Sequence, residues 1–146
     1  MNTKNILKGK EIKKTLARTA ILNILKKIKK PISVSEIIEK LNQTSIKIDR
    51  VTVFRNINLM TKKGLINKVE FNEGKFRYEL TSLPHHHHIV CTKCGNVKDI
   101  KSDLLHDQID KISKTANKLY GFETEEHKVE FFGKCKTCKN IKSNPL

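Results

Sequence analysis

Four cysteines and a run of four histidines are the residues of this sequence best suited to chemistry. The cysteines form two Cys-x-x-Cys pairs, Cys91 with Cys94 and Cys135 with Cys138, and the chain has no others. Two such pairs supply four thiolates at the spacing of a tetrahedral zinc site, and Gly95 allows the first turn to close. Disulfide bonds are the alternative. Because 40 residues separate the pairs, a helix or more must fold between the two halves of the site.

The histidine run, His85 to His88, leads almost directly into the first cysteine pair. Its internal position argues against an expression tag, and a solvated polar loop is the alternative to a metal site. Successive side chains of a strand point to opposite faces. His86 and His88 would then face one way, and His85 and His87 the other, so one run can serve two metal sites without sharing a ligand.

The charge of the chain indicates an anionic partner for its first half. The 146 residues carry a formal net charge of +15, and residues 1–80 hold 19 basic against 7 acidic residues. Basic charge gathered in one half favours nucleic acid, although lysine is abundant throughout and part of this charge is background. No apolar run approaches the roughly 18 residues of a membrane span, and no signal-peptide core is present at the N-terminus. We therefore expect a soluble, cytoplasmic protein whose thiols stay reduced.

Helical and strand periodicities predict a three-helix domain followed by a hairpin. An apolar stripe from Ala17 to Ile28 predicts the first helix. The capping box Ser33-x-x-Glu36 opens the second, and Asp49 caps a third that ends before Gly64. Two period-2 segments then flank a turn signal at residues 72–74, which favours a hairpin. Three helices and a basic hairpin are the pattern of a winged helix-turn-helix.

In that pattern the third helix enters the major groove of DNA. The residues that helical periodicity leaves on its outward face are Thr52, Arg55, Asn56 and Thr61. Arg55 suits a guanine edge, and Phe54 or Thr52 suits a thymine methyl group. For Phe54 the alternative is core packing, and for any single lysine it is a solvated surface charge. We predict phosphate contacts for four basic residues of the helix end and the hairpin: Lys62, Lys63, Lys75 and Arg77.

A shift in composition near residue 80 predicts two domains, residues 1–82 and 83–146, with Leu83-Pro84 as the hinge. A small sheet with one helix is too little to be stable alone, so zinc and a second copy of the chain would both help it fold. For this second domain we predict three strands and a helix: strands His85–Cys91, Val97–Ile100 and Phe122–Phe132, and a helix Asp103–Tyr120.

The order of these pieces resembles the ferric uptake regulator family of metal-responsive bacterial repressors, over nearly the whole chain. The resemblance implies an α+β fold, with an N-terminal winged helix and a small α/β dimerisation domain. It also implies a homodimer without enzymatic activity that binds palindromic operators of metal homeostasis genes when its metal sites are filled. Five motifs carry it: Asp49-Arg50-Val51-Thr52-Val53-Phe54-Arg55, Tyr78-Glu79-Leu80, His85 through Gly95, His127 and Cys135-x-x-Cys138.

The resemblance assigns roles to individual residues. It makes the four cysteines a structural Zn²⁺ site. It places Lys13 in the minor groove, Arg18 on a phosphate, and Phe54 and Arg55 on the bases. A hinge sensory site between the domains matches Glu79, His86, His88 and Asp99. A second site, in the dimerisation domain, matches His85, His87, His106 and His127.

Several residues depart from the family pattern. The hinge site usually takes a further histidine from the first half, which here has none; Lys30 or Pro31 occupies the matching place. Phe54 replaces a tyrosine that the family often has. Carboxylates are common where this chain has His87 and His106, and an all-imidazole set suits zinc, nickel or iron. The regulatory ion stays open between Fe²⁺ and Zn²⁺, with peroxide sensing through Asp99 as a lesser alternative.

Two other classes of protein compete with this interpretation. A zinc hydrolase needs an open ligand position and a general base. The nearby carboxylates Glu79 and Asp99 are already used as ligands, and the chain has no His-Glu-x-x-His motif. A metal buffer or delivery protein would explain the ligands but not the basic winged helix. Operator binding measured with and without metal separates the three.

Overall fold

The structure, a computed structural model, describes residues 12–100 and 103–140 of the chain. These residues divide into two compact units on either side of the Pro84–His85 bond. Each unit contains a three-stranded sheet of its own.

Three helices form the body of the first unit: α1 (Leu16–Ile28), α2 (Val34–Asn42) and α3 (Arg50–Lys62). Their apolar residues recur at helical spacing, and the side chains of Ile21, Ile37, Val53 and Ile57 are fully buried in one core. Burial of these faces against one another is what stabilises helices this short, since isolated helices of 9 to 13 residues are marginal in water.

Side-chain caps set where the helices begin. The Thr15 hydroxyl accepts a hydrogen bond from the Arg18 backbone N–H at 3.3 Å, at the start of α1. Asp49 accepts one from Thr52 N at 2.9 Å at the start of α3. Ser33 and Glu36 form the predicted capping box of α2. Each bond satisfies a backbone donor that has no partner within its own helix.

A hairpin follows α3. Strands β2 (Ile66–Glu70) and β3 (Phe76–Leu80) pair antiparallel, and the short β1 (Ile32–Ser33) pairs with the other edge of β3. Two residues of the turn, Asn72 and Gly74, have positive φ, as a tight connection requires. Three helices with this hairpin form a winged helix-turn-helix, so the predicted architecture of this unit is confirmed.

The second unit is built around one central strand. β4 pairs antiparallel with β5 and parallel with β6, and α4 makes the crossover that a parallel pair needs. Its elements in chain order are β4 (His87–Cys91), β5 (Val97–Ile100), α4 (Asp103–Tyr120), β6 (Glu130–Gly133) and α5 (Lys136–Asn140).

The third strand is shorter than predicted. We expected a strand from Phe122 to Phe132, whereas β6 is only Glu130–Gly133 and residues 121–129 are irregular. Asn117 explains part of the difference, because its amide oxygen accepts hydrogen bonds from the Thr124 backbone and hydroxyl. These bonds tie the return segment to the end of α4 and keep it out of the sheet.

The apolar stripe of α4 is buried only in part. Ile109 is buried, whereas Ile112 and Leu119 are 67% and 68% exposed. Tyr120 and Phe122, at the end of the helix and just beyond it, are more exposed still. Several large apolar side chains exposed on one helix and just beyond it favour a protein interface over a solvated face.

Candidate metal centres and nucleic-acid interface

The four cysteines converge at one end of the second sheet. Cys91 ends β4, Cys94 lies in the turn that follows, Cys135 precedes α5 and Cys138 lies within it. The turn closes through a 2.8 Å bond from Gly95 N to Cys91 O, with Gly95 at φ 68°. We call these four residues the cysteine site: Cys91, Cys94, Cys135 and Cys138.

The sulfur geometry of the cysteine site fits zinc. All four sulfurs lie within 4.8 Å of one another, and Cys94 Sγ and Cys135 Sγ are 3.8 Å apart. Zinc–sulfur bonds of about 2.3 Å in a tetrahedron place the sulfurs about 3.8 Å apart. All four cysteines are free thiols. The cysteine site therefore has the donors and the spacing for one tetrahedral Zn²⁺.

The thiols of the cysteine site differ in acidity. Backbone N–H groups of Cys135 and Cys94 lower the pKa of Cys91 to about 6, and the first of these bonds measures 3.3 Å. Hydrogen bonding to Cys135, together with burial, raises the pKa of Cys138 to about 12. One thiolate is thus ready at neutral pH, whereas the last requires a cation nearby to lose its proton.

A second cluster lies at the start of β4. The ligand nitrogens of His85, His87 and His127 lie within 4.8 Å of one another, and we call these three residues the imidazole site. The Nε2 atoms of His85 and His127 are 3.2 Å apart. Zinc–nitrogen bonds of about 2.0–2.1 Å in a tetrahedron give a separation of about 3.3 Å. The imidazole site therefore also fits a metal ion.

His87 is held in the tautomer that a metal ligand needs. Its Nε2 is buried with no hydrogen-bond partner among the described residues, while the ring bonds to the Val129 backbone. That bond must then use Nδ1, which leaves the Nε2 lone pair facing the cluster. Burial, followed by repulsion from His85, lowers the pKa of His87, so its ring is neutral at physiological pH.

His106 lies beside the imidazole site, but its nitrogens are not among those within 4.8 Å of one another. Its ring centroid is 5.5 Å from that of His85. Its Nε2 instead faces Asp110 Oδ2, at 4.0 Å and one turn along α4. The structure therefore brings together three of the four residues predicted for this site, with His106 as their neighbour. Asp110, which the sequence did not single out, lies next to His106.

The remaining two histidines of the run form a separate group. The rings of His86 and His88 are 4.7 Å apart, and His88 lies directly opposite Asp99 across the β4–β5 pair. His88 Nε2 and Asp99 Oδ1 are 4.0 Å apart, longer than a hydrogen bond. Glu79, the other predicted ligand, is a buried residue of β3 in the first unit. Its place in a hinge site stays a prediction.

The predicted recognition helix presents a basic face. On α3, Arg55 and Lys62 are exposed and Thr52 is half-buried. Phe54 is 38% exposed, so it is not part of the core, and the Arg50 guanidinium lies 5.6 Å from its ring centroid. An arginine stacked on an aromatic ring is stabilised by a cation–π contact, which holds both side chains in place at the surface.

Two residues that were predicted to lie at the surface, Asn56 and Arg77, are buried in the first unit. Asn56, expected to point outward, is buried; its amide oxygen accepts from Arg18 Nε at 2.9 Å, and its amide nitrogen donates to Thr52 O at 2.7 Å. Arg18 also donates to Lys13 O. Asn56 therefore connects the predicted phosphate-binding arginine of α1 to α3.

Arg77 is the second correction. The sequence predicted a phosphate contact, but its side chain is buried and bonds to both carboxylate oxygens of Glu73, at 2.9 and 3.1 Å. A further ion pair joins it to Glu36 at 3.7 Å. Its charge is satisfied inside the first unit. Lys75, in the same hairpin, is exposed and pairs with Glu73 at 3.2 Å.

Among residues 12–100 and 103–140, no helix has the length and apolar character to cross a membrane.

A family model, protein sequences and solved structures all match this chain to ferric uptake regulators. A sequence model of the ferric uptake regulator family matches residues 9–132. The ferric uptake regulation protein of Vibrio cholerae is 31% identical over 140 residues, which is 95% of this chain and 91% of that protein. The crystal structure of a V. cholerae ferric uptake regulator superposes with a TM-score of 0.78 at 30% identity and covers 92% of this chain and 100% of its own. The structure of the ferric uptake regulator from Francisella tularensis with iron superposes with a TM-score of 0.74 at 27% identity. The match covers 88% of this chain and 95% of that chain.

Proposed function

This chain belongs to the ferric uptake regulator family, and on that premise we propose that it represses metal homeostasis genes by binding palindromic operators as a metal-loaded homodimer. The observation that carries the proposal is a winged helix with an exposed basic helix on the same chain as two clusters of metal-ligand side chains, the cysteine site and the imidazole site. A metal buffer does not need a DNA-binding winged helix. A protein that binds DNA constitutively does not need clusters of metal ligands.

The cysteine site supplies the structural ion in this proposal. It joins the turn after β4 to α5, two segments far apart in sequence, and so closes the second unit. Zn²⁺ bound there contributes directly to folding, because four thiolates cannot be held this close without a cation.

The hinge residues Glu79, His86, His88 and Asp99 supply the regulatory site. Support comes from the paired rings of His86 and His88 and from the position of Asp99 across the sheet. These donors suit Fe²⁺ or Zn²⁺. Ligands drawn from both units would make the angle between them, and hence the fit of two recognition helices to an operator, depend on the ion.

A second copy of the chain covers the exposed face of α4. Ile112, Leu119 and Tyr120 are 67%, 68% and 73% exposed, and large apolar side chains exposed together favour a protein interface. A two-fold symmetric pair would bury this surface and would present two recognition helices to a palindromic site.

On DNA, the base contacts come from α3. Arg55 and Phe54 read base edges, Thr52 lies beside them, and Lys62 meets a phosphate. Lys13, Arg18 and Lys75 add further backbone contacts, with Arg18 fixed by Asn56.

The proposal is tested by measuring DNA affinity in the presence and absence of metal. Fluorescence anisotropy with a palindromic operator and a scrambled duplex, titrated with Fe²⁺ under anaerobic conditions or with Zn²⁺, should show metal-dependent binding to the palindrome only. Light scattering in the same buffers gives the oligomeric state. Equal affinity with and without metal, or equal affinity for both duplexes, would contradict the proposal.

A further inference from the structure

The Arg18 side chain is fixed at two points on its guanidinium. Its Nε–H donates to the Asn56 amide oxygen at 2.9 Å, and a terminal nitrogen donates to the backbone oxygen of Lys13. A guanidinium is planar and has five N–H donors, so bonds at two of its nitrogens set the direction of the donors that remain. Arg18 is half-buried at the start of α1, where its backbone N–H is held by the Thr15 cap.

The acceptors that fix Arg18 do not neutralise its charge. An amide oxygen and a backbone oxygen are both uncharged, whereas Arg77 is held by the carboxylates of Glu73 and Glu36. A guanidinium fixed by neutral acceptors keeps its attraction for an anion, and its charge-assisted bonds to phosphate are about twice as strong as bonds between neutral groups. Arg18 is therefore suited to bind a phosphate, and Arg77 to stabilise the fold.

Asn56 is itself held in one orientation. Its amide nitrogen donates at 2.7 Å to the backbone oxygen of Thr52, one turn earlier in α3, so its amide oxygen faces Arg18. The residue is only 9% exposed, and a hydrogen bond shielded from water is electrostatically stronger than one in solvent. Asn56 thus joins Arg18 to the helix that carries Arg55 immediately before it.

We propose that Asn56 is a positioning residue for DNA binding, which holds the Arg18 guanidinium in the orientation that binds a backbone phosphate and fixes that contact relative to α3. An asparagine on a recognition helix can read adenine through its amide, but here the amide is bonded within the protein. The inference rests on the DNA binding of the proposed function, but not on metal control or on an operator, because a phosphate contact carries no sequence information. Loss of Asn56 should therefore weaken binding to operator and random DNA by the same factor.

The test is a double-mutant cycle on the affinity of the full, Zn²⁺-loaded chain for a random duplex and for an operator, measured by fluorescence anisotropy at several salt concentrations. Arg18→Gln should lower the slope of log affinity against log salt by about one. Asn56→Leu, which has a similarly branched side chain but no acceptor, should weaken binding to both duplexes about three- to tenfold, because an arginine that is not held in place loses more entropy on binding. In the Arg18→Gln background, Asn56→Leu should have no further effect. Asn42→Leu, the same substitution at an exposed position of α2, is the matched control and should bind like the parent.

The inference is wrong if Asn56→Leu leaves affinity unchanged, weakens binding to the operator alone, or costs as much in the Arg18→Gln background. A base contact would give the second result, and a general loss of stability the third. An unchanged salt slope in Arg18→Gln, or an equal loss in Asn42→Leu, would overturn it as well. Thermal unfolding shows whether each variant is folded, and Asn56→Ala, which removes the same acceptor with less bulk, carries the same predictions where leucine is not accommodated.

The proposed function and this inference can fail separately. Coupling between Asn56 and Arg18 on random DNA, in a chain whose operator binding does not depend on metal, would contradict the proposed function and leave this inference standing. Metal-dependent operator binding without that coupling would contradict this inference alone. A chain that bound neither duplex would overturn both.

Discussion

At the scale of single residues, Cys135 has two roles in the cysteine site. Its sulfur lies 3.8 Å from Cys94 Sγ, and its backbone N–H donates to Cys91 Sγ. Cys135→Ser removes the thiolate and keeps the backbone bond. We expect loss of one zinc per chain and a melting temperature lower by roughly 10 °C, because a closed structural site contributes several kcal/mol to folding. Elemental analysis and calorimetry measure both quantities.

The control for Cys135→Ser is Thr137→Ser, a small change at an exposed position in the same turn. This variant should keep the zinc and the melting temperature of the parent. Full zinc content and an unchanged melting temperature in Cys135→Ser would show that the cysteine site is not structural.

Arg55 and Lys62 separate base recognition from phosphate binding on one helix. Both are exposed on α3. Arg55→Ala should cost about 1–3 kcal/mol on the operator and little on random DNA, because a guanidinium on a base edge carries sequence information. Lys62→Ala should weaken binding to both duplexes and lower the slope of log affinity against log salt by about one. Equal losses on operator and random DNA in Arg55→Ala would refute its base-reading role.

Other residue roles depend on tertiary partners that no local pattern reveals. Arg77 lies in a hairpin rich in basic residues, so the sequence predicted a phosphate contact, but Glu73 and Glu36 bind it in the interior. Asn56 lies off the apolar stripe of α3 and was therefore expected at the surface, but it is buried and bonded to Arg18, 38 residues away in sequence. The metal ligands could be recognised from residue type and spacing because a cation requires particular donor atoms. The partner of a buried arginine could not, because a carboxylate at many different positions in the sequence could form the same ion pair.

At the scale of secondary structure, the capping box of α2 makes stability depend on pH. Burial opposes ionisation of Glu36, but hydrogen bonds from the Ser33 backbone and hydroxyl, with the charge of Arg77, hold the pKa of Glu36 below its ordinary value. A carboxyl with a lowered pKa stabilises the fold above its unfolded-state pKa and loses that effect as pH falls through the folded-state pKa. Glu36→Gln should therefore destabilise most near neutral pH.

The expected loss for Glu36→Gln is no more than about 1 kcal/mol, because the side chain is 42% exposed and solvent screens it. Urea denaturation at pH 7 and at successively lower pH should show the difference from the parent shrinking. Glu39→Gln, an exposed carboxylate on the same helix, is the control. A difference that does not change with pH would contradict the linkage.

The elements differ in how well the sequence predicts them. The helices were predicted from caps and apolar spacing, both of which act within a few residues. The prediction of a strand at residues 122–132 was wrong in length, because the alternation of apolar and polar residues does not show which of them pair with a neighbouring strand. After α4, the chain must return to pair in parallel with β4, and only Glu130–Gly133 arrive in register. Strand pairing is a property of the whole unit, not of its local pattern.

At the scale of the whole molecule, basic charge and metal ligands are divided between the two halves of the chain. Residues 1–80 carry most of the excess of basic residues, and every candidate ligand except Glu79 lies in the second unit. A regulator with this division needs a means by which metal in one unit affects DNA affinity in the other. In the proposed function the hinge residues provide it, and the imidazole site, lying within one unit, does not.

Paired double variants test that division. His86→Ala with His88→Ala should abolish metal-dependent operator binding and leave a folded dimer, because both rings belong to the proposed regulatory site. His85→Ala with His87→Ala should lower dimer stability or metal affinity and leave metal-dependent binding in place. Each pair removes two imidazoles from the same four-residue run, so each controls for the other. Anisotropy, light scattering and metal content should differ between the pairs. If both lost the same metal equivalent and the same DNA affinity, the histidine run would hold one ion, and the assignment of alternating side chains to two sites would fail.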